Sequence, residues 1–289
     1  MKNKILISML IVFWTYSHST LKAEIISSHD CEEDCSCGIN CYWEIDTSSK
    51  TLTVTGNGKI KDFERICTQE GCTPTNAPWQ KYDADFSHIA ISEGFTSVGT
   101  AAFCDIRVDS VSLPSTMEEL GLVSFENGVS QINIPEGLKK IGDQAFSGAR
   151  LTTLQLGDKL EYIGDYAFAN TNFENLIIPD SVTYIGLNAF GNARDGWHDA
   201  LLKNLYCEED IKNQCDAAIK GLQDAGKSVS VISYQKQSDG RYVLNGVRYQ
   251  SFSDMQNGQN GISLKRIYTI DEATKLSKKT GNTFKLRYK

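Results

Sequence analysis

The sequence predicts a mainly β or α/β fold in which short repeats stack into a solenoid, and three observations carry that reading. Phe103, Phe125, Phe146, Phe168 and Phe190 recur at intervals of 22, 21, 22 and 22 residues. Gly99, Gly121, Gly142, Gly164 and Gly186 keep the same step, as do Ile91, Leu113, Ile134, Leu156 and Ile178. Ile89, Val111, Ile132, Leu154 and Leu176 stand two residues ahead of that last column, which is the period of a strand with one buried face. Columns that stay in phase over successive units are the mark of a repeat array.

The chain has 289 residues, 40% hydrophobic and 22% charged, enough for one large or two modest domains and unlike a disordered or collagen-like chain. Met1-Lys2-Asn3-Lys4, an apolar run from Ile5 to Trp14 and then Leu21-Lys22-Ala23 read as a signal peptide over 1–23: basic head, short hydrophobic middle, small residue at the cut. Its removal takes three lysines and no acids, moving the formal charge from -7 to -10. No later stretch reaches the ~20 apolar residues of a membrane-spanning helix. No cysteine follows the signal for lipid attachment, and no Asn-X-Ser/Thr acceptor occurs. The expected localisation is secreted, extracellular or at the cell surface, with no transmembrane segment after signal removal.

Residues 24–84 read as a cysteine-rich, disulfide-stapled β cap. Cys31, Cys35, Cys37 and Cys41 crowd into eleven residues, and Cys67 lies close to Cys72. Thiolates so spaced suit a soft metal, but an exported chain favours disulfides. No metal site is therefore assigned, and these six cysteines, with Cys207 and Cys215, are the disulfide candidates. Nine cysteines leave one over, and Cys104, with no cysteine near it, is the expected free thiol. Thr51–Thr55 alternates as a strand ending at Gly56, while Trp43, Phe63, Trp79 and Tyr82 supply aromatic rings to plug the open end of the array. Gly56-Asn-Gly58 lacks the rest of a phosphate or dinucleotide loop and reads as a turn.

Residues 85–207 carry the repeats. In Leu151-Thr-Thr-Leu154-Gln-Leu156 alternating leucines face inward on a short strand, Gly157-Asp158 turns the chain, and Leu160 and Ile163 return to the core. Gly164 is expected to take a backbone conformation closed to larger residues, and Ala167-Phe168 sets a small residue beside one that fills space. One unit buries too little to offset its own ordering, so the units must stack. The runs Leu176-Ile-Ile-Pro-Asp-Ser-Val-Thr-Tyr-Ile-Gly-Leu-Asn-Ala-Phe190 and Ile132-Asn-Ile-Pro-Glu-Gly-Leu-Lys-Lys-Ile-Gly-Asp-Gln-Ala-Phe146 resemble the BspA-like leucine-rich repeats of bacterial surface and secreted proteins, over about 89–207. Cys41-Tyr-Trp-Glu, Thr51-Leu-Thr-Val-Thr-Gly-Asn-Gly58 and Ala77-Pro-Trp79 are similar to the segment that precedes such repeats. The resemblance implies a curved leucine-rich-repeat solenoid used for adhesion or binding, with no catalytic residues to carry over. The second unit has Ser124 where the others carry alanine, and a distorted coil is expected there.

Seven residues around Arg194-Asp-Gly-Trp197-His198-Asp199 are inserted relative to the preceding unit. An insertion in an array must loop out, and Trp197 is either a binding anchor or a residue packed on the terminal cap. In 208–233, Ile211, Cys215, Ala218, Ile219 and Leu222 fall at helical spacing behind Glu208-Glu209-Asp210, and a strand Val229–Tyr234 follows. Helix and strand are expected to close the far end. In the tail, 234–289, Asn245-Gly246 suits a two-residue turn pairing Tyr242 with Tyr249. Thr269-Ile-Asp-Glu272 reads as a capping box opening a helix, and Thr283–Tyr288 as a final strand. The tail holds eleven basic and four acidic residues, +7, which leaves -17 on 24–233. It reads either as a foot for an anionic envelope polymer or membrane, or as a solvated appendage partly paired to the acidic repeats.

No basic patch with interleaved aromatics points to nucleic acid, and no cofactor motif occurs. His88 and Cys104 can be drawn as base and thiol nucleophile. Their phase in the repeat puts His88 on the outer face of a strand and Cys104 beside a core phenylalanine on the opposite flank, so no catalytic residues are assigned. Strand alternation aligns Ser110, Gln131, Thr153, Asn175 and Asn204 in one outward column and Ser112, Asn133, Gln155, Ile177 and Tyr206 in the next. From Gln131 onward these are the ligand-binding candidates, for a protein or glycan of a host, a matrix or a neighbouring cell. The chain reads as a secreted or cell-surface leucine-rich-repeat binding protein. A structural spacer held by its basic tail is the alternative, and an exported enzyme a third.

Overall fold

The computed structural model of the protein describes residues 24–28, 36–68, 71–191, 201–245, 247–250, 252–257 and 262–263. With strands numbered in chain order, the first sheet runs β1 (Ile25–Ser27), β2 (Cys41–Asp46), β3 (Thr51–Gly56), β7 (His88–Ile91), β9 (Val108–Ser112), β11 (Val129–Asn133). β1 to β3 are antiparallel; from β3 onward the strands are parallel and advance one repeat at a time, with Leu52 opposite Ile89, Ile89 opposite Val111 and Val111 opposite Ile132. A second sheet, parallel throughout, runs β4 (Gly58–Ile60), β8 (Phe95–Val98), β10 (Glu119–Leu120), β12 (Lys140–Ile141), β13 (Tyr162–Ile163), β15 (Tyr184–Ile185). The third sheet has β14 (Asn175–Ile177), β16 (Asn204–Glu208) and β17 (Ser230–Lys236) in parallel, then β18 (Tyr242–Leu244), β19 (Val247–Tyr249) and β20 (Ile262–Ser263) antiparallel. β5 (Cys67–Thr68) and β6 (Gly71–Cys72) form a small pair. Among the described residues the α-helices are α1 (Lys212–Ala218), α2 (Lys220–Asp224) and α3 (Phe252–Asn257).

The periodic columns become stacks. Trp79, Phe103, Phe125, Phe146, Phe168 and Phe190 lie face to face, with successive ring centroids 5.0, 5.2, 5.7, 5.4 and 5.8 Å apart. Trp79 starts the column from within the cap, and its Nε1–H donates to the Ala102 carbonyl at 2.7 Å. Trp43 and Phe63 pack edge-on to Trp79, and Tyr82 packs on Trp43. The segments bearing the rings also bond repeat to repeat, as in Phe146 N–H to Ala167 O and Phe168 N–H to Ala189 O, at 2.8 and 2.7 Å. At the far end Phe190 N–H reaches Ala218 O of α1, so the helix takes the place of a next unit. Gln214 completes that closure by accepting from Ile185 N–H and donating to Thr183 O on the β15 edge.

Four expectations are corrected. Gly164 does not serve for its dihedral freedom. A Cβ there would sit 2.5 Å from Asp143 N and 2.7 Å from Gly142 C, and the same crowding against the preceding unit's backbone recurs at Gly99, Gly121, Gly142 and Gly186. The left-handed positions fall two residues later, at Ala101, Val123, Gln144, Tyr166 and Asn188, with φ between 47 and 55°. The second unit is not distorted: Val123 keeps the shared conformation and Phe125 its stacking. The strand expected at Leu151–Leu156 does not form, although Leu156 is buried and Thr153 and Gln155 exposed as the alternation requires. Gly157 stands there in place of Pro114, Pro135 and Pro179 of the neighbouring units and leaves loose a dihedral that proline fixes, although β7 forms ahead of Ser92 without a proline. Finally, Cys207 and Cys215 are not bridged. Both are buried free thiols, with Cys207 facing inward from β16 and Cys215 from α1.

Cys37 and Cys41 form a disulfide, with Cα atoms 5.3 Å apart. The backbone register sets Cys67 opposite Cys72. Cys104 is a buried free thiol. Cys31, Cys35, Trp197, the capping box at Thr269–Glu272 and the strand at Thr283–Tyr288 lie outside the described residues.

Candidate functional site

The outward side chains of the first sheet form two columns set by its register. Thr51, His88, Ser110 and Gln131 make one, and Thr53, Ala90, Ser112 and Asn133 the other. Neighbouring strands in a ladder lie about 4.8 Å apart, so each column is a row of closely spaced hydroxyl, carboxamide or small groups. His88 Nδ1 lies 2.9 Å from Ser110 Oγ, which fixes the imidazole on the sheet. Ser112, Gln131, Asn133 and Gln155 are exposed and make no side-chain hydrogen bond among the described residues. The sequence reading began this face at Ser110. The structure carries it back through β7 into the cap, a continuation signalled by the Thr51–Thr55 alternation and by His88 lying one repeat before Ser110.

Past the gap at 151–156 the columns resume as Asn175, Asn204 and Ser230, and as Ile177, Tyr206 and Ile232. Asn204 Nδ2 donates to Asn175 Oδ1 at 2.7 Å. Tyr206 is corrected as a ligand contact: it is 8% exposed and Ile177 is half-buried, because the C-terminal stretch folds over them. The β18–β19 hairpin, which does pair Tyr242 with Tyr249, lays Tyr249 on this surface together with Met255 of α3 and Tyr234 of β17. The tail is thus packed on the repeats and partly ion-paired to them as far as Met255, while most of its basic residues, from Lys265 to Lys289, lie outside the described residues. Lys236 forms an ion pair with Asp180, its backbone N–H donates to Glu208 Oε1 at 3.2 Å, and Tyr234 Oη–H donates to Ile178 O at 3.4 Å. Thr153 and Gln155 remain exposed in the gap between the two sheets.

The second sheet's outer row is occupied with itself. Lys140 Nζ lies 2.7 Å from Glu119 Oε1 and 5.7 Å from the ring centroid of Tyr162, and that ring stacks on Tyr184 at 4.7 Å. Lys139 pairs with Glu118 at 3.0 Å.

Two of the buried thiols, Cys104 and Cys215, are held in the protonated form. Burial, then the Asp105 and Glu126 carboxylates, push the Cys104 pKa well above the ordinary thiol range, and its S–H donates to Glu126 Oε2 at 3.5 Å. A hydrogen bond to Cys207, then burial, raise that of Cys215. His88 and Cys104 differ in their hydrogen-bond neighbours, His88 facing Ser110 and Cys104 facing Glu126. Arg65 joins this buried corner from the cap, with one guanidinium nitrogen 2.7 Å from Asp105 Oδ2 and the other bonded to Glu126. This ties the cap to the first two units.

No helix among the described residues is long and apolar enough to cross a membrane. No curated protein matches the chain. Among solved structures it is similar to a leucine-rich repeat protein from Eubacterium ventriosum, at 20% identity and a TM-score of 0.53 over 78% of this chain and 49% of that one. It is also similar to a leucine rich cell surface protein from Faecalibacterium prausnitzii, at 19% identity and a TM-score of 0.35 over 74% and 61%. The pneumococcal vaccine antigen PcpA matches at 19% identity and a TM-score of 0.40 over 78% and 54%. The chain spans about half the length of the first of these structures. Residues 81–195 match the BspA type leucine rich repeat region in six copies. With its stacked phenylalanines, crowded glycines and parallel ladders, the repeat region of this chain belongs to the BspA-type leucine-rich repeats.

Proposed function

We propose that the protein is an exported, secreted or surface-held binding protein whose repeats form a curved solenoid, and that its protein or glycan ligand lies on the outward face of the first sheet. The observation that carries this reading is the contrast between surfaces. The β3–β7–β9–β11 face is continuous, polar except at Ala90 and without lysine, arginine, aspartate or glutamate at its repeat positions, and the carboxamides of Gln131 and Asn133 make no side-chain hydrogen bond among the described residues. The second sheet's outer row is paired and stacked with itself, and the apolar end of the strand face is covered. A carboxamide presents a donor beside an acceptor, which suits a partner rich in amides or hydroxyls. The basic and hydrophobic leader at 1–23 supports export. Adhesion to a host, a matrix or a neighbouring cell is the role this arrangement serves.

The test is capture by the immobilised chain from a panel of extracellular-matrix proteins and glycans. Lysines introduced together at Ser112, Asn133, Gln155 and Asn175, all exposed, leave folding nearly unchanged, because exposed positions cost under ~0.5 kcal/mol each. They abolish capture if the ligand lies there. Undiminished capture by this variant overturns the reading.

A further inference from the structure

The covered end of the strand face is packed like an interface. Tyr206 and Tyr234 from the strands, Tyr249 from the hairpin and Met255 from α3 are each buried to 8% exposure or less, in a cluster separate from the core that runs through the repeats. A small satellite cluster opens at lower free energy than the structure it rests on. The Lys236–Asp180 pair, a backbone bond to Glu208 and the Tyr234 hydroxyl hold β17, and β18 joins it through the pairs Gln235–Val243 and Lys236–Tyr242. The surface beneath continues directly into the Asn175–Asn204 pair.

We propose that β18, β19 and α3 form a strap that stands in for a ligand on the apolar end of the strand face, and that a protein segment of the same chemistry displaces it. This rests on the strand-face reading above and names the partner class at this end. What the strap brings to this cluster is Tyr242, Leu244, Val247, Tyr249 and Met255, against Ile177, Tyr206, Ile232 and Tyr234 of the strands. Aliphatic side chains at the floor call for apolar side chains from the occupant, which a peptide supplies and a glycan does not. The strap also adds a strand to β17, with Gln235 opposite Val243 and Lys236 opposite Tyr242. A displacing segment inherits that edge and gains main-chain hydrogen bonds by strand addition.

The test uses the full chain and Met255→Asp, which charges the strap and leaves the strand face intact. Hydrogen exchange of the 242–249 amides is expected to accelerate at least tenfold in the variant, while the amides of β8 to β13 keep their rates. The probe is a biotinylated peptide of residues 237–257, captured at least tenfold more by the variant than by the unmodified chain. Adding Tyr206→Lys, or separately Ile232→Lys, removes that capture. The proposal is overturned if the 242–249 amides open only together with those of β8 to β13, or if the opened variant captures no peptide. Gln131 and Asn133 play no part in this test, so failure of the strap leaves the strand-face reading standing. A strand face that binds nothing, in turn, leaves the strap result standing.

Discussion

The glycine column separates two uses of one residue. At Gly164 the limit is space, since a Cβ meets the backbone of the preceding unit at 2.5–2.7 Å. At Gly226 the limit is conformation, with φ +78° and nothing within 4 Å of an added Cβ. Gly164→Ala is therefore expected to cost ~3 kcal/mol or more, at or above the upper end of overpacking, because backbone cannot rotate away. Gly226→Ala costs ~1–2 kcal/mol, the strain of a left-handed alanine. Urea unfolding of both variants checks the order, and equal costs contradict it. Ser124 offers the opposite sign. Its Oγ is buried without a hydrogen-bond partner among the described residues, where other units carry alanine. Ser124→Ala should raise stability by ~1 kcal/mol, read as an increase of ~2–4 °C in melting temperature.

Among the elements, those readable from sequence are the ones whose signals are local or periodic. The alternation at Thr51–Thr55, the Asn245-Gly246 hairpin and the phenylalanine column each declare themselves within one unit or by recurrence. What did not declare itself is set by packing over distance. Leu154-Gln-Leu156 alternates as its neighbours do, and Gly157 stands where three other units carry proline, but β7 forms ahead of Ser92 at the same position, so the missing ladder has no local signal. Ile177 and Tyr206 occupy outward positions as alternation requires, but a hairpin far along the chain, from Tyr242 to Tyr249, covers them. At the base of that hairpin, burial and the Asp180 carboxylate raise the pKa of Glu208. A carboxyl raised in the folded state contributes stability that is fully present below its ordinary pKa and is lost as pH rises through the raised value. The β17–β18 junction is thus expected to be tighter at about pH 5 than at about pH 7, in exchange rates corrected for intrinsic pH dependence. Glu208→Gln should flatten that difference, and a junction tighter at the higher pH contradicts the assignment.

Across the whole molecule, the repeats build two long parallel ladders with different duties. One spends its outer side chains on itself, in lysine–glutamate pairs and a tyrosine stack. The other presents hydroxyls and carboxamides from β3 to β11, and past the gap at 151–156 the apolar face of the third sheet is covered by the C-terminal hairpin and α3. The most direct measurement compares the two surfaces with one captured ligand at one ionic strength. Dissociation constants are determined for the unmodified chain, for lysines at Ser112, Asn133, Gln155 and Asn175, and for lysines at the exposed positions Thr96 of β8 and Glu118, Glu161 and Thr183 immediately ahead of β10, β13 and β15. A ligand seated on the strand face weakens at least a hundredfold in the first variant, as four desolvated contacts are lost, and stays within about twofold in the second. Weakening confined to the second variant contradicts the account.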